Sequence, residues 1–249
     1  KLVDECDEIL VLEDGQPFVE GLIKGYLGIG IQVKGRLDGT LSRDGELNPD
    51  KVGMAVGKDI KPTFQIPSLV AMRPPALCDG CGHRDMYTAL TEVLREEYPG
   101  HKVFSDIGCY TLGAGAPFNA IDSCVDMGAS ITMAKGAADG GLYPAVAVIG
   151  DSTFTHSGMT GLLDCVNGNV NVTVVISDNE TTAMTGGQDS AGTGRIEAIC
   201  SGIGVLPEHI RVVVPLKKNY EEMKQIIREE IEFNGVSVII PRRECIQTL

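Results

Sequence analysis

Short apolar runs rich in β-branched residues alternate along this chain with stretches whose apolar positions recur every three or four residues. Ala145-Val-Ala-Val-Ile149 and Val172-Thr-Val-Val-Ile176 have the continuous apolar character of buried parallel strands. Val103-Phe104, Arg211–Val214 and Val236–Ile240 predict further strands. Met86, Leu90, Val93 and Leu94 mark a helix after His83, and a small-residue helix is expected from about Ser130 to Asp139. Thr155-His-Ser-Gly158 supplies helix-start residues, Met159, Leu162, Leu163 and Val166 continue at helical spacing, and Gly168-Asn169 stops the helix. A charged helix is expected over Tyr220–Phe233. Alternation of this kind predicts an α/β fold, a mostly parallel sheet with helices on both faces.

Ahead of this domain, Glu8–Leu12 and Ile31–Val33 read as strands and Pro17–Leu27 as a helix. They suggest the C-terminal part of a preceding α/β domain, residues 1–56, within a longer polypeptide. Pro62, Pro67, Pro74 and Pro75 predict a linker over residues 57–77, leaving 78–249 as the main domain. With 43% hydrophobic and 22% charged residues, the chain has the balance of a globular protein. No apolar run approaches the roughly 18–20 residues that span a bilayer, and no signal peptide heads the sequence. The net charge of −13 argues against nucleic acid or an anionic membrane as partner. Eight cysteines without a secretory signal point to a reducing, cytoplasmic setting, where clustered thiols more often hold metal than pair.

The candidate chemistry centres on two strand ends. Gly150-Asp151-Ser152 follows one strand and Ser177-Asp178-Asn179-Glu180-Thr181 the next, with Asp151 and Asn179 28 residues apart. A right-handed strand–helix–strand crossover leaves both strand ends at one edge of the sheet, where open α/β sheets bind ligands. Either string alone is an ordinary turn. Together they would place a carboxylate, an amide and the Thr181 backbone carbonyl around one hard cation. Magnesium takes six oxygens, so two phosphate oxygens and a water would complete the shell. The small-residue stretches Gly113-Ala-Gly-Ala116 and Gly128-Ala-Ser130 suit either close backbone approach to a phosphate or tight helix packing. Gly186-Gly187 could close a turn over the same group or form a plain loop. His156, five residues past Asp151, is a candidate for proton exchange, its alternative being an idle helix-start residue.

Cys78 and Cys81 form a Cys-x-x-Cys turn, Cys109 follows a strand, and Cys245 follows the last strand. All four fall at loops or strand ends, where thiolates can converge on a structural zinc, act as a redox pair, hold an iron–sulfur cluster or remain unliganded. His83 beside them reads equally as a surface residue or as a tuning group. Cys124, Cys165 and Cys200 read as small core residues, and Cys6 is uninformative.

Three strings carry a resemblance. Cys78-Asp-Gly-Cys-Gly-His83, Asp106-Ile-Gly-Cys-Tyr-Thr-Leu-Gly113 and Gly150-Asp-Ser-Thr-Phe-Thr-His-Ser-Gly158, with Asn179 and Thr185-Gly-Gly-Gln188, resemble the 2-oxoacid:ferredoxin oxidoreductases. More narrowly, they resemble the thiamine diphosphate-binding portion of the indolepyruvate ferredoxin oxidoreductase large subunit, well over residues 74–249 and more loosely before. Ser152 stands where thiamine enzymes usually carry glycine, and Asp178 where many carry a second asparagine; neither removes a proposed ligand. The resemblance implies thiamine diphosphate held through magnesium by Asp151, Asn179 and Thr181, with Gly150, Ser152, Gly128, Ser130, Gly186 and Gly187 around it. It also implies a [4Fe–4S] cluster on Cys78, Cys81, Cys109 and Cys245. The implied reaction is oxidative decarboxylation of an arylpyruvate to its coenzyme A thioester, with electrons passed to ferredoxin and a smaller partner subunit present. Thiamine enzymes activate the cofactor with a glutamate on a separate domain, and none in this chain is assignable to that role, so residues 1–249 alone are expected to be inactive. A non-redox thiamine-dependent decarboxylase or ligase, or a non-catalytic metal-binding module, are the alternatives.

Overall fold

In a computed structural model the chain divides into two units, Lys1–Met72 and Arg73–Leu249. The structure describes residues 1–61, 67–71 and 73–248; residues 62–66 and 72, part of the predicted linker, and 249 lie outside the described residues.

The first unit holds α1 (Leu2–Glu5), β1 (Glu8–Leu10), α2 (Phe18–Lys24), β2 (Gln32–Lys34) and α3 (Pro49–Ala55). β1 and β2 pair in parallel across the α2 crossover, both strands near where the apolar pattern puts them. The buried Arg36 ties the unit together, donating from Nε to the Glu13 carbonyl at 3.0 Å and from Nη2 to Asp14 at 3.0 Å. The buried Glu20 accepts from Lys24 Nζ at 2.8 Å and from the Leu37 amide at 2.9 Å. α3 begins on Asn48, whose side chain accepts from the Lys51 amide at 3.0 Å, with Pro49 at the first helical position.

The second unit runs α4 (Gly82–Glu97), β3 (Lys102–Ser105), β4 (Ser123–Cys124), α5 (Ala129–Asp139), β5 (Ala145–Gly150), α6 (Asp151–Thr153), α7 (Met159–Gly168), β6 (Val172–Ser177), β7 (Thr181–Thr182), β8 (Gln188–Asp189), α8 (Ile196–Ile203), β9 (Ile210–Val213), α9 (Tyr220–Glu232) and β10 (Val236–Pro241). Six strands form one parallel sheet in the order β4-β3-β5-β6-β10-β9. Every residue of β5, β6 and β10 is buried, as expected for central strands covered on both faces. Val146, Val148 and Val175 point toward α4 and α9, meeting Leu90, Val93, Ile227 and Ile231. Their neighbours Ala147, Ile149, Val174 and Ile176 face the other side, against Ile131, Leu162, Ile196 and Cys200. The two-residue alternation of a strand therefore builds two cores on one sheet.

The segment after β5 departs from the sequence expectation. Its helix starts immediately, with Gly150 extended as the capping residue and Asp151 in the first turn, where a carboxylate complements the helix dipole. Thr155, His156, Ser157 and Gly158 do not open it; with Phe154 they form a π-helical turn between α6 and α7. Gly161 lets α7 approach α5 closely, since a Cβ there would stand 3.2 Å from Thr132. That contact turns Leu162 and Cys165 inward and leaves Leu163 43% exposed, against the predicted apolar face. Asn169, left-handed at φ 47°, ends α7 as predicted.

Candidate functional site

β3 sends its chain outward to β4, while β5 sends its chain the other way to β6, so the connections diverge at the carboxyl ends of neighbouring strands. Such a divergence opens the crevice in which doubly wound sheets bind ligands. Gly150 pairs in register with Ser177, which brings Asp151 and Asp178-Asn179 out side by side at this edge. Asp151 is only 2% exposed, and its Oδ2 has no hydrogen-bond partner. Burial pushes its carboxyl up to about 6; hydrogen bonds from the Ser190 hydroxyl and the Ser152 amide oppose the rise, and the charge of Asp178 adds to it. A buried carboxylate oxygen with no donor is what a cation-binding position looks like without its cation.

Asn179 is half-buried and Thr181 buried. Between them Glu180 adopts φ 62°, a left-handed conformation uncommon outside glycine, so the backbone reverses between the two proposed ligands. The Thr181 hydroxyl donates to the Gln188 carbonyl at 3.0 Å, and the Thr182 hydroxyl to Ser152 Oγ at 2.8 Å. β7 and β8 pair antiparallel, and the turn joining them carries Gly186 and Gly187 at φ 118° and 78°, both left-handed. The predicted glycine turn is thus a hairpin standing at the Asp151 edge.

Asp106, fully buried just past β3, organises the other side. It accepts from the Tyr110 hydroxyl, from Ser130 Oγ at 2.7 Å and from the Gly128 amide at 3.1 Å. Burial raises its carboxyl above the ordinary range, opposed by these donors. The Ser130 hydroxyl is thereby committed to Asp106. Gly128 is left-handed at φ 92°, and a Cβ on it would lie 2.8 Å from Ser157 Cβ, so only glycine starts α5 here. Gly150 is equally constrained, because a Cβ would meet the Tyr110 ring at 2.5 Å. Gly113 instead packs beneath the Tyr87 ring, the tight-packing role rather than a phosphate contact. His156 is exposed, its Nδ1 3.0 Å from Ser157 Oγ, which donates to the Met127 carbonyl at 2.7 Å.

The thiols occupy the neighbouring ground. Cys81 caps α4, and its Sγ lies 3.0 Å from His83 Nδ1. His83 is not at the surface: it is buried, its ring 6.4 Å from that of Tyr110, and burial lowers its pKa to about 4. Cys78 is exposed and accepts from Gln247 Nε2 at 3.5 Å, and Cys109 opens a short 3₁₀ turn. Cys81 and Cys245 line one cavity with His83, Ser177 and Asn179. Burial raises the Cys81 thiol, with Cys78 and Cys245 adding to it, and burial raises Cys109, with Cys245, Cys81, Cys78 and Asp151 adding. Cys109 therefore feels the other three members of the predicted set and Cys81 two of them. Among the described residues no three His, Cys, Asp or Glu side chains close on a position that a single ion could occupy. Cys165 and Cys200 are buried as expected, but Cys124 is exposed on the edge strand β4, where no helix covers it, and its thiol donates to the Asp106 carbonyl at 3.5 Å.

The strand β10 leads into a strap that joins the two groups. The Arg243 amide donates to the Asp178 carbonyl at 3.0 Å and the Cys245 amide to the Asn179 carbonyl at 3.2 Å. Asp106, Tyr110, Glu197 and Arg242 were not singled out by sequence reasoning as parts of the site. For Asp106 a signal existed, a carboxylate immediately after a strand at the same edge as Asp151.

Residues 106–240 match the family described as thiamine pyrophosphate enzyme, C-terminal TPP binding domain. That span contains all the cofactor candidates and, of the four clustered thiols, Cys109. The chain is similar to indolepyruvate oxidoreductase subunit IorA of Archaeoglobus fulgidus, 35% identical over 98% of this chain and 42% of the relative. The IorA subunit of Methanothermobacter marburgensis is 36% identical over 95% of this chain and 41% of its own length. The chain thus spans about two fifths of the curated relatives it matches. In fold it resembles a 2-oxoglutarate:ferredoxin oxidoreductase from Magnetococcus marinus, solved with 2-oxoglutarate, coenzyme A and succinyl-CoA bound. That likeness has a TM-score of 0.57 at 18% identity and covers 70% of this chain and 66% of that one.

Proposed function

The chain belongs to the thiamine pyrophosphate enzymes, and from that premise we propose that it is the cofactor-binding part of a 2-oxoacid:ferredoxin oxidoreductase that acts on arylpyruvates of the indolepyruvate type. The observation that carries the reading is the buried, partnerless Oδ2 of Asp151 beside Asn179, inside the matched span. These residues fit a magnesium diphosphate. Asp151, the Asn179 amide oxygen and the Thr181 carbonyl would hold the cation, with Gly150 and Ser152 shaping the Asp151 turn. The Gly186-Gly187 turn would face the diphosphate, whereas the start of α5 at Gly128 and Ser130 is turned to the Asp106 carboxylate and would border the cofactor without donating to it. Bound thiamine diphosphate supplies the carbanion chemistry of 2-oxoacid decarboxylation.

The chain's own contribution is binding, orientation and proton exchange. Asp151 would hold the cation through its buried, unpartnered Oδ2. Asp106 fixes the start of α5 against the Cys109 turn. His156, exposed in the π turn, would exchange a proton or donate to a substrate carboxylate. Cys78, Cys81, Cys109 and Cys245 would hold a [4Fe–4S] cluster, a reading supported by the Cys81 and Cys109 thiols, each raised by burial and by other cysteines of the set. Such a cluster would carry single electrons toward ferredoxin. Coenzyme A as acyl acceptor and a smaller partner subunit complete the proposed system, in the reducing cytoplasm suggested by eight unpaired cysteines. Among the described residues no helix is long and apolar enough to cross a membrane.

The test is anaerobic purification of the full-length complex, followed by analysis for thiamine, iron and sulfide and by dye reduction with indolepyruvate and coenzyme A. Bound thiamine with four irons per cysteine set and arylpyruvate-dependent reduction is expected. Thiamine-dependent carbon dioxide release without iron or dye reduction would reject the redox assignment. Residues 1–249 alone are expected not to turn over.

A further inference from the structure

Two carboxylates leave the sheet edge next to the cofactor candidates, and they are treated differently. Asp151 keeps a free oxygen, whereas both oxygens of the fully buried Asp178 are engaged. Its Oδ1 accepts from the Glu180 amide at 3.3 Å, and its Oδ2 lies 2.6 Å from Nε of Arg242. Arg242 follows β10, and its backbone amide donates to the Val213 carbonyl at 2.8 Å. Its two terminal nitrogens fork onto Glu197 at 2.8 and 2.7 Å, so α8 anchors the guanidinium from the far side. The whole arrangement is built around one residue, Asp178, which directly precedes Asn179 and stands close enough to Asp151 for its charge to be felt there.

We propose that Arg242 is a positioning residue of the cofactor site: it offsets the charge of Asp178 and leaves Asp151 with the free carboxylate oxygen for the cation. The inference rests on the thiamine diphosphate reading above. A diphosphate is strongly anionic, and one magnesium ion offsets only part of its charge. Two unpaired carboxylates in a poorly solvated edge would repel the complex, because charge interactions strengthen as water is excluded. Paired with Arg242, Asp178 still shapes the turn through the Glu180 amide, and the one negative charge left on the trio falls to the partly exposed Glu197 on α8. Lysine could supply the charge but not the fork that reaches both acids.

The experiment is calorimetric titration of the full-length polypeptide, with its partner subunit, by thiamine diphosphate at saturating magnesium. Arg242→Met should weaken binding about tenfold or more, equivalent to at least ~1.4 kcal/mol. Adding Asp178→Asn to Arg242→Met should bring affinity back to within about threefold of wild type, a recovery that a purely structural arginine would not show. Arg242→Lys should fall between wild type and Arg242→Met. If the double variant binds no better than Arg242→Met while Asp151→Ala abolishes binding, the proposal is overturned and the cofactor reading survives. If Asp151→Ala binds like wild type, the cofactor reading falls and takes the proposal with it. Should Arg242→Met fail to fold, Asp178→Asn alone decides: affinity equal to or tighter than wild type supports the proposal, and weaker binding overturns it.

Discussion

Replacing Asp151 by asparagine should make the cofactor-free protein more stable while abolishing its ability to hold magnesium diphosphate. The carboxyl has an ordinary value of 3.8 and is raised by burial to about 6 in the folded chain. At ~1.4 kcal/mol per pH unit, that gap corresponds to ~3 kcal/mol. Because the folded state holds the proton more tightly than the unfolded one, the protonated carboxyl's stabilising contribution is complete below pH 3.8 and is lost as pH rises through about 6. Asparagine is uncharged throughout and preserves the shape of the side chain. The stability difference should therefore be small near pH 4 and grow to ~3 kcal/mol above pH 7, or about 2–4 °C in melting temperature for each kcal/mol. Urea unfolding of both proteins from pH 4 to 8 measures it. Adding magnesium and thiamine diphosphate should invert the order at about a thousand times the Kd, where ligand stabilises by ~4.1 kcal/mol and only wild type binds it well. An asparagine variant no more stable than wild type at pH 8, or a difference that does not change with pH, would refute the reasoning.

Three further outcomes are expected. Asn179→Ala removes a neutral ligand and should weaken thiamine diphosphate binding by about tenfold, less than Asp151→Ala, as read by calorimetry in magnesium. Cys81→Ala should remove the brown absorbance and iron of an anaerobic preparation, whereas Cys165→Ala, a change in the core, should keep both and lower stability only; stoichiometric zinc with negligible iron would contradict the cluster. Gly128→Ala places a side chain at φ 92° and against Ser157, so it should lower the unfolding free energy by about 1–3 kcal/mol and weaken cofactor binding through the displaced start of α5.

The central sheet was legible in the sequence because its strands are buried on both faces and read as unbroken apolar runs. β5, β6 and β10 begin or end within a residue or so of their expected limits. The pairing of Asp151 with Asn179 followed from the crossover rule, which needs only chain order. What the pattern could not give depends on contacts between segments distant in sequence. His83 looks like a polar surface residue until Tyr110 and Cys81 are brought around it. Arg242 looks like part of a charged tail until its partners on two other elements are in place. The start of the helix after β5 was misread because Thr155 and Ser157 are good capping residues, yet Asp151 fills the first turn earlier. α8 carries its own signal in the helical spacing of Ile196, Ile199, Cys200 and Ile203.

The π turn over Phe154–Gly158 sets a condition on length as well as on sequence. A π turn accommodates one residue more than the α-helical path around it, and each residue advances an α-helix by about 100°. Asp151 is held in place by β5, and Leu162 and Cys165 by the core beneath α7. Both anchors are satisfied together only while the additional residue takes up the phase difference between them. Deleting one residue from the turn would give a more regular helix whose two ends could no longer both face their present neighbours. A single-codon loss here would thus rotate either the carboxylate away from Asn179 or the apolar stripe away from the sheet, although every side chain named in the site remained in the protein.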